Sequence, residues 1–257
     1  MTQVHGRGVM LAVDDAGEGE PALLFVHSLG GRIGFWKPVL REVRRLHRAV
    51  AFDLRGHGGS EATPEAGWAL DQFVNDALAV ADASSLERFV LVGHSFGALV
   101  ALALAARVPK RVRMLVLVDP AGSFAEVPAE ALAEFAQQIE GEGGAGIVRE
   151  AYAANLGRAR PGTRAAVLAS LAATPREAVA AGYRAQFAAD PAALLAAYGG
   201  PVRLIVDEEN DSPYSLHAQR PELPAQAIAD VSHWLHLDEP DAFNAALDAI
   251  LTSLEGE

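Results

Sequence analysis

Apolar and polar positions fall into short blocks along the first half of the chain, and the blocks carry two different periods. Residues 9–13 alternate weakly and predict an early strand. Residues 22–27 are apolar without alternation, as expected of a strand buried on both faces. Residues 35–46 place Trp36, Val39, Leu40, Val43 and Leu46 at helical spacing, and residues 48–53 predict the next strand. Residues 70–83 carry Phe73, Val74, Ala77, Leu78 and Ala81 on one helical face. Residues 89–92 predict a buried strand, and the Ala/Leu-rich run to Arg107 a buried helix stopped by Pro109. Residues 113–119 predict a further strand, ended by Pro120. Strand and helix alternate throughout, which predicts a parallel sheet with helices on both faces.

The alternation breaks at Ala121. The stretch 121–199 is Ala-rich, punctuated by Pro128, Pro161, Pro175 and Pro191, and shows helical patches at 129–139, 147–156, 165–172 and 177–187. It predicts a helical insertion, a lid or cap. Strand character returns at 202–207 and more briefly at 225–229, and residues 240–254 predict a closing helix. The expected architecture is therefore an α/β core of residues 1–120 and 200–257 with a lid at 121–199.

Composition narrows what such a fold works on. The 257 residues are 51% hydrophobic and 21% charged, as expected of a globular chain. The net charge of −12 speaks against nucleic acid or an anionic membrane as a partner, since both demand basic patches. Without cysteine, disulfides and a thiolate nucleophile are both out of reach. Residues 1–8 have no apolar core of the secretory type, and the most apolar internal run, 96–106, is too short to span a bilayer. A cytoplasmic location is expected; oligomeric state is left open.

One stretch carries chemistry. Gly93-His94-Ser95-Phe96-Gly97 has the form G-x-S-x-G and lies between a predicted strand and a predicted helix, the context of a nucleophile elbow. A serine hydroxyl needs a base, and the base an orienting acid, in the chain order Ser, acid, His. Downstream histidines are His217, His233 and His236. His233 follows the last predicted strand and precedes the last helix, so it is the expected base, whereas His217 reads as a helix-surface residue. His233 and His236 lack a third ligand at recognisable spacing, so no metal site is expected. For the acid, the loop after the 202–207 strand offers Asp207, Glu208, Glu209 and Asp211; Asp211 is the first choice, and Asp119, at the tip of the preceding strand, the second. Oxyanion donors are expected from the backbone N–H groups of Phe96 and Leu29. Residues 141–146 match G-x-G-x-x-G, but a helical pattern precedes them where a dinucleotide site needs a strand. They read as a loop between lid helices, and no cofactor is expected.

With these pieces in place the chain resembles the α/β-hydrolase superfamily, in its lid-bearing, lipase- and esterase-like branch. The resemblance rests on His27-Ser28-Leu29-Gly30-Gly31, on residues 53–60 (DLRGHGGS), on the elbow, and on residues 233–240 (HWLHLDEP). It covers nearly the whole chain and departs from the pattern twice. Ser28 stands where glycine is usual, which looks like the corner of 3-oxoadipate enol-lactone hydrolases. Asp207 stands where glycine is usual after the late strand, which places Asn210 on the usual acid position unless the loop is one residue longer. The resemblance implies a serine hydrolase of a small to medium, largely apolar ester or lactone. Carbon–carbon hydrolases, enol-lactonases, cofactor-free haloperoxidase-like members and a non-catalytic receptor share the fold.

Overall fold

The computed structural model describes residues 1–62, 65 and 67–255. Its sheet has eight strands in the order β1-β2-β4-β3-β5-β6-β7-β8. The strands are β1 Thr2–His5, β2 Met10–Ala16, β3 Ala22–Val26, β4 Ala49–Phe52, β5 Phe89–His94, β6 Val112–Val118, β7 Val202–Asp207 and β8 Ala225–Ile228. β2 pairs antiparallel with both β1 and β4, and every pairing from β4 to β8 is parallel. β3, β4 and β5 are buried along their full length, which is why their sequences do not alternate.

Helices α1 Lys37–Val43, α2 Leu70–Ala83, α3 Phe96–Arg107 and α11 Pro240–Glu255 flank the sheet. Alternate residues of one strand feed different layers. Leu24 and Val26 join the layer under α2 and α3, while Leu23 and Phe25 join the layer under α1 and α11. α3 is apolar on nearly its whole circumference because α2, β5 and α8 Pro191–Tyr198 all pack on it. All the sequence-predicted strands form, and α2 has the expected bounds.

Several elements depart from the sequence reading. β1 is exposed and has no apolar pattern of its own; it exists through its register with β2, His5 opposite Met10. The helix expected over 35–46 is a 3-10 turn at Ile33–Trp36 followed by α1, which stops at Val43 and leaves Leu46 69% exposed. Between β6 and β7 lie α4 Ala129–Glu140, α5 Gly144–Asn155, α6 Pro161–Ala172, α7 Arg176–Ala188 and α8. The sequence pattern missed α8. Asp190 caps it by accepting from the Ala193 N–H, Pro191 opens its first turn, and it packs on α3 rather than among the other four. Of the stretch 141–146, expected as a loop, only 141–143 join α4 to α5 and 144–146 open α5; helix precedes it and no strand.

The loop after β4 is anchored from beneath. Arg55 donates through Nε and Nη2 to the two carboxylate oxygens of Asp76 on α2 (2.7 and 2.9 Å), and both side chains are buried. Arg55 also donates to the carbonyls of Gly67 and Arg7, so one guanidinium ties three segments together. Removing the carboxylate would leave a buried guanidinium without its counter-charge. Asp76→Ala is expected to cost about 3–5 kcal/mol, read as a lower urea midpoint at unchanged slope.

Candidate active site

β5 enters a turn at Ser95 and α3 leaves it one residue later. Ser95 has φ 55° and ψ −119°, a region that residues with a side chain rarely occupy. The turn is possible because its flanks are bare. A Cβ on Gly93 would strike the Gly97 carbonyl and Ala98, and a Cβ on Gly97 would strike the carbonyls of Val26 and His27. The Ser95 N–H is held by the Val118 carbonyl at 3.0 Å, and the Ser95 carbonyl accepts from Ala98 as the first helical bond. The strained residue therefore stands at the sheet's carboxyl edge, over the N-terminus of α3.

His233 lies in the loop after β8, and its backbone is gripped on both sides. Its N–H donates to the Asn155 carbonyl at the end of α5 (3.3 Å), and its carbonyl accepts from His94 Nε2–H (2.8 Å). Ser232 donates to Asp238 through both N–H and hydroxyl, which closes the loop onto α10 Leu235–Asp238. His233 Nδ1–H donates to Asp119 Oδ2 at 2.6 Å.

The acid beside the imidazole is thus Asp119, at the tip of β6, and not Asp211. The loop after β7 does not lengthen. The Asn210 N–H bonds the Asp207 carbonyl in a tight turn, and the Asn210 side chain donates to Asp119 Oδ1 at 3.0 Å. Asp211, the next residue, is exposed. Burial alone pushes Asp119 up, but the hydrogen bonds from His233 and Asn210 outweigh it and hold the carboxyl below the usual aspartate value. Asp119 has φ 41°, so Ser95 and Asp119 both occupy positive-φ backbone. His217, expected on a helix surface, lies on the short helix α9 Leu216–Gln219 and supports the same group indirectly: its Nε2 donates to the Asn210 carbonyl at 3.0 Å.

The corner after β3 is fixed by two histidines that sequence reasoning left without a role. His27 Nδ1–H donates to the Ser28 carbonyl (2.8 Å), while its Nε2 accepts from the Leu54 N–H (2.9 Å). His57 Nε2 accepts the Gly30 N–H (3.0 Å), while its Nδ1–H donates to the Arg55 carbonyl (2.8 Å). Each pattern requires a neutral ring, and burial pushes His27 down to about 4 and His57 down to about 3. Asp53 completes the corner by accepting from the N–H groups of Ile33 and Gly59. Among the described residues, neither the Leu29 nor the Phe96 N–H has an acceptor. These are the donors expected for an oxyanion.

A cavity of about 210 Å³ brings these parts together. Ser28, Leu29, Ser95, Asp119 and His233 line one side, and Tyr152, Tyr183 and Gln186 of α5 and α7 line the other. Phe124 and Tyr214 stack at its rim with ring centres 5.1 Å apart. Phe135 and Phe187 stand behind Tyr183 and Phe124 as packing. The lining, among the described residues, contains no lysine or arginine. His236 does not reach the cavity. It is buried and stacked on Trp36 at 4.4 Å, and burial pushes it down to about 3. No group of acidic and histidine side chains suited to a metal ion occurs among the described residues. No helix among them is long and apolar enough to cross a membrane.

The model of the alpha/beta hydrolase family matches residues 23–246, and the chain belongs to that family. Over its full length the chain is 26% identical to 3-oxoadipate enol-lactonase 1 of Acinetobacter baylyi, covering 99% of this chain and 100% of that one. The crystal structure of the enol-lactonase from Burkholderia xenovorans LB400 superposes with a TM-score of 0.80 at 26% identity, covering 98% and 100% of the two chains. A shorter match, 38% identical over 123 residues, links 47% of the chain to 2-hydroxymuconate semialdehyde hydrolase of Pseudomonas sp. strain CF600. That match spans only 43% of the relative's length.

Two outcomes follow from this geometry. Asp119→Asn is expected to slow turnover by about 10⁴-fold, the cost of losing the orienting carboxylate, while Asp211→Asn stays near wild type; parallel kinetics on the two variants separate the two aspartates. The second concerns acid stability. His27, His57 and His236 have folded pKa values of about 4, 3 and 3, below the unfolded value of ~6.5. The unfolded chain therefore binds more protons below that value, and stability is lost as pH falls from ~6.5 toward the folded values. The loss is about 2 kcal/mol per imidazole by pH 5. Thermal scans across pH are expected to be flat above pH 7 and to drop steeply below pH 6.

Proposed function

We propose that this chain is a serine hydrolase of small, uncharged carboxylic esters or lactones. The observation that carries the reading is the convergence of a strained serine, an imidazole hydrogen-bonded to a buried carboxylate, and two unengaged backbone N–H groups around one cavity. In this mechanism Ser95 Oγ attacks the carbonyl carbon as His233 Nε2 takes the hydroxyl proton. The carbonyl oxygen becomes an oxyanion at the N–H groups of Leu29 and Phe96. His233 then returns the proton to the departing alkoxide, leaving an acyl-serine. Water, deprotonated by the same imidazole, attacks the acyl carbon and releases the acid. Asp119 keeps the imidazole in the Nδ1–H form and stabilises the imidazolium at both steps.

The cavity supports this substrate class. A space of about 210 Å³ is below the usual range for drug-sized ligands and suits a small molecule. A lining without lysine or arginine leaves a buried anionic substituent uncompensated. The mixture of aromatic faces with Ser28, Gln186, Ser212 and Ser215 suits a ring or short chain carrying neutral oxygens. The full-length similarity to an enol-lactonase supports the lactone branch, and carbon–carbon cleavage, which members of the same family also carry out, is the alternative bond.

A fluorophosphonate probe is expected to add once to the wild type and not to Ser95→Ala, and Ser95→Ala to lose at least about 10³-fold in kcat/KM. An unlabelled, inactive wild type would leave a ligand receptor as the reading of this fold. In a panel of short esters, lactones and vinylogous diketones, neutral esters or lactones are expected to exceed their carboxylate-bearing analogues by about 10-fold or more in kcat/KM. Preferential turnover of the diketones would move the assignment to carbon–carbon hydrolysis.

A further inference from the structure

We infer that the inserted helices complete the oxyanion hole, with Tyr152 of α5 as the positioning residue that sets the Leu29 peptide for the reaction proposed above. Two consecutive peptide units determine where the Leu29 N–H points, and each is held at identified atoms. In the unit between Ser28 and Leu29, the carbonyl accepts from the Gly31 N–H at 2.9 Å and from His27 Nδ1–H at 2.8 Å. A peptide is planar, with its N–H opposed to its C=O, so the Leu29 N–H is turned away from both donors. In the unit between Leu29 and Gly30, the Tyr152 hydroxyl donates to the Leu29 carbonyl at 2.7 Å and His57 Nε2 takes the Gly30 N–H at 3.0 Å. Three of these four bonds come from the core; the fourth comes from the insertion, 123 residues along the chain.

Apolar contacts from the same insertion press on this corner. Gly30 has φ +66°, and a Cβ there would lie 2.9 Å from Leu171 Cδ1 of α6 and 3.2 Å from the Tyr152 hydroxyl. Gly182 of α7 has room for no side chain because Leu29 occupies the space, with Cδ1 2.5 Å from where its Cβ would stand. Helices α5 and α7 therefore close on Leu29, and α6 closes on Gly30 beside it. Tyr152 and Asn155 sit one turn apart on α5; the Asn155 backbone carbonyl accepts the His233 N–H while the Tyr152 hydroxyl donates to the Leu29 carbonyl. The last turn of α5 thus touches both His233 and Leu29. Burial pushes the Tyr152 phenol well above its ordinary value, so it stays a proton donor throughout the working pH range. The Leu29 carbonyl and the His233 N–H keep these two bonds only while α5 is seated.

The test compares wild type with Tyr152→Phe on a short neutral p-nitrophenyl ester, with a trifluoromethyl ketone as transition-state mimic. A positioning role predicts that kcat falls about 10-fold or more, short of the ~10²–10³ for loss of a donor itself. It also predicts KM within about twofold and weakening of the trifluoromethyl ketone in parallel with kcat, since only the transition state uses the hole. Unchanged kcat, or a rise in KM alone with the ketone unaffected, overturns the role and leaves Tyr152 as packing. Should Tyr152→Phe fail to fold, Leu171→Val carries the test, trimming the contact on Gly30, with the same kcat-without-KM signature expected and its absence decisive against. A wild type that neither turns over nor takes the fluorophosphonate would overturn the hydrolase reading and this one with it. An active wild type matched by both variants overturns only this one.

Discussion

The site depends on the closeness with which α3 approaches the ends of β3 and β5. Gly93 and Gly97 have no side chains at that crossing, and the space a Cβ would fill is occupied by backbone carbonyls. Only there can the chain reverse within one residue, and Ser95 accepts a positive φ as the result. Conformations of this kind cost on the order of 1–3 kcal/mol and persist only where the surroundings over-determine them. Here the surroundings are a buried strand on one side and an almost wholly buried helix on the other. The strain is thus carried by the same core packing that defines the fold.

Around that fixed serine, histidines do two kinds of work that differ by burial. His27, His57 and His94 are buried and neutral, and each places a backbone group: the Ser28 carbonyl, the Gly30 N–H and the His233 carbonyl. Their tautomers follow from their partners, since each carries its proton on the nitrogen that faces a carbonyl. His233 alone of this group borders the cavity and meets a carboxylate. Burying imidazoles in this way makes them rigid positioning groups, and the same burial makes the fold sensitive to acid.

The carboxylate shows where local pattern stops being informative. Asp119 and Asp211 both follow strong parallel strands, and nothing within either segment ranks them. What separates them is the pairing of β6 with β7, which sets Asp119 beside the loop after β7, and a one-bond turn that directs Asn210 back toward it. The replacement of the usual acid by Asn210 was visible as a departure in the sequence. Its consequence, an amide that orients a carboxylate brought in from the neighbouring strand, required the two loops to be seen together. The missed helix α8 has a similar origin, because its apolar residues face α3 and its neighbours in sequence face elsewhere.

The placements of Ser95 and His233 were legible because each is marked by its own neighbours: a glycine-flanked serine between strand and helix, and a histidine between the last strand and the last helix. The order of strands and helices was legible for the same reason, since burial on one or both faces imprints a period on the residues. These are properties of short segments, and the sequence by itself determined them. Tertiary structure decided which aspartate His233 donates to, which distant N–H groups His27 and His57 accept, and that Tyr152 reaches Leu29. Those contacts join residues 27 to 123 positions apart. No local periodicity records them, because hydrogen bonds between distant segments are chosen by sheet register and by the seating of the inserted helices, and both exist only in the folded chain.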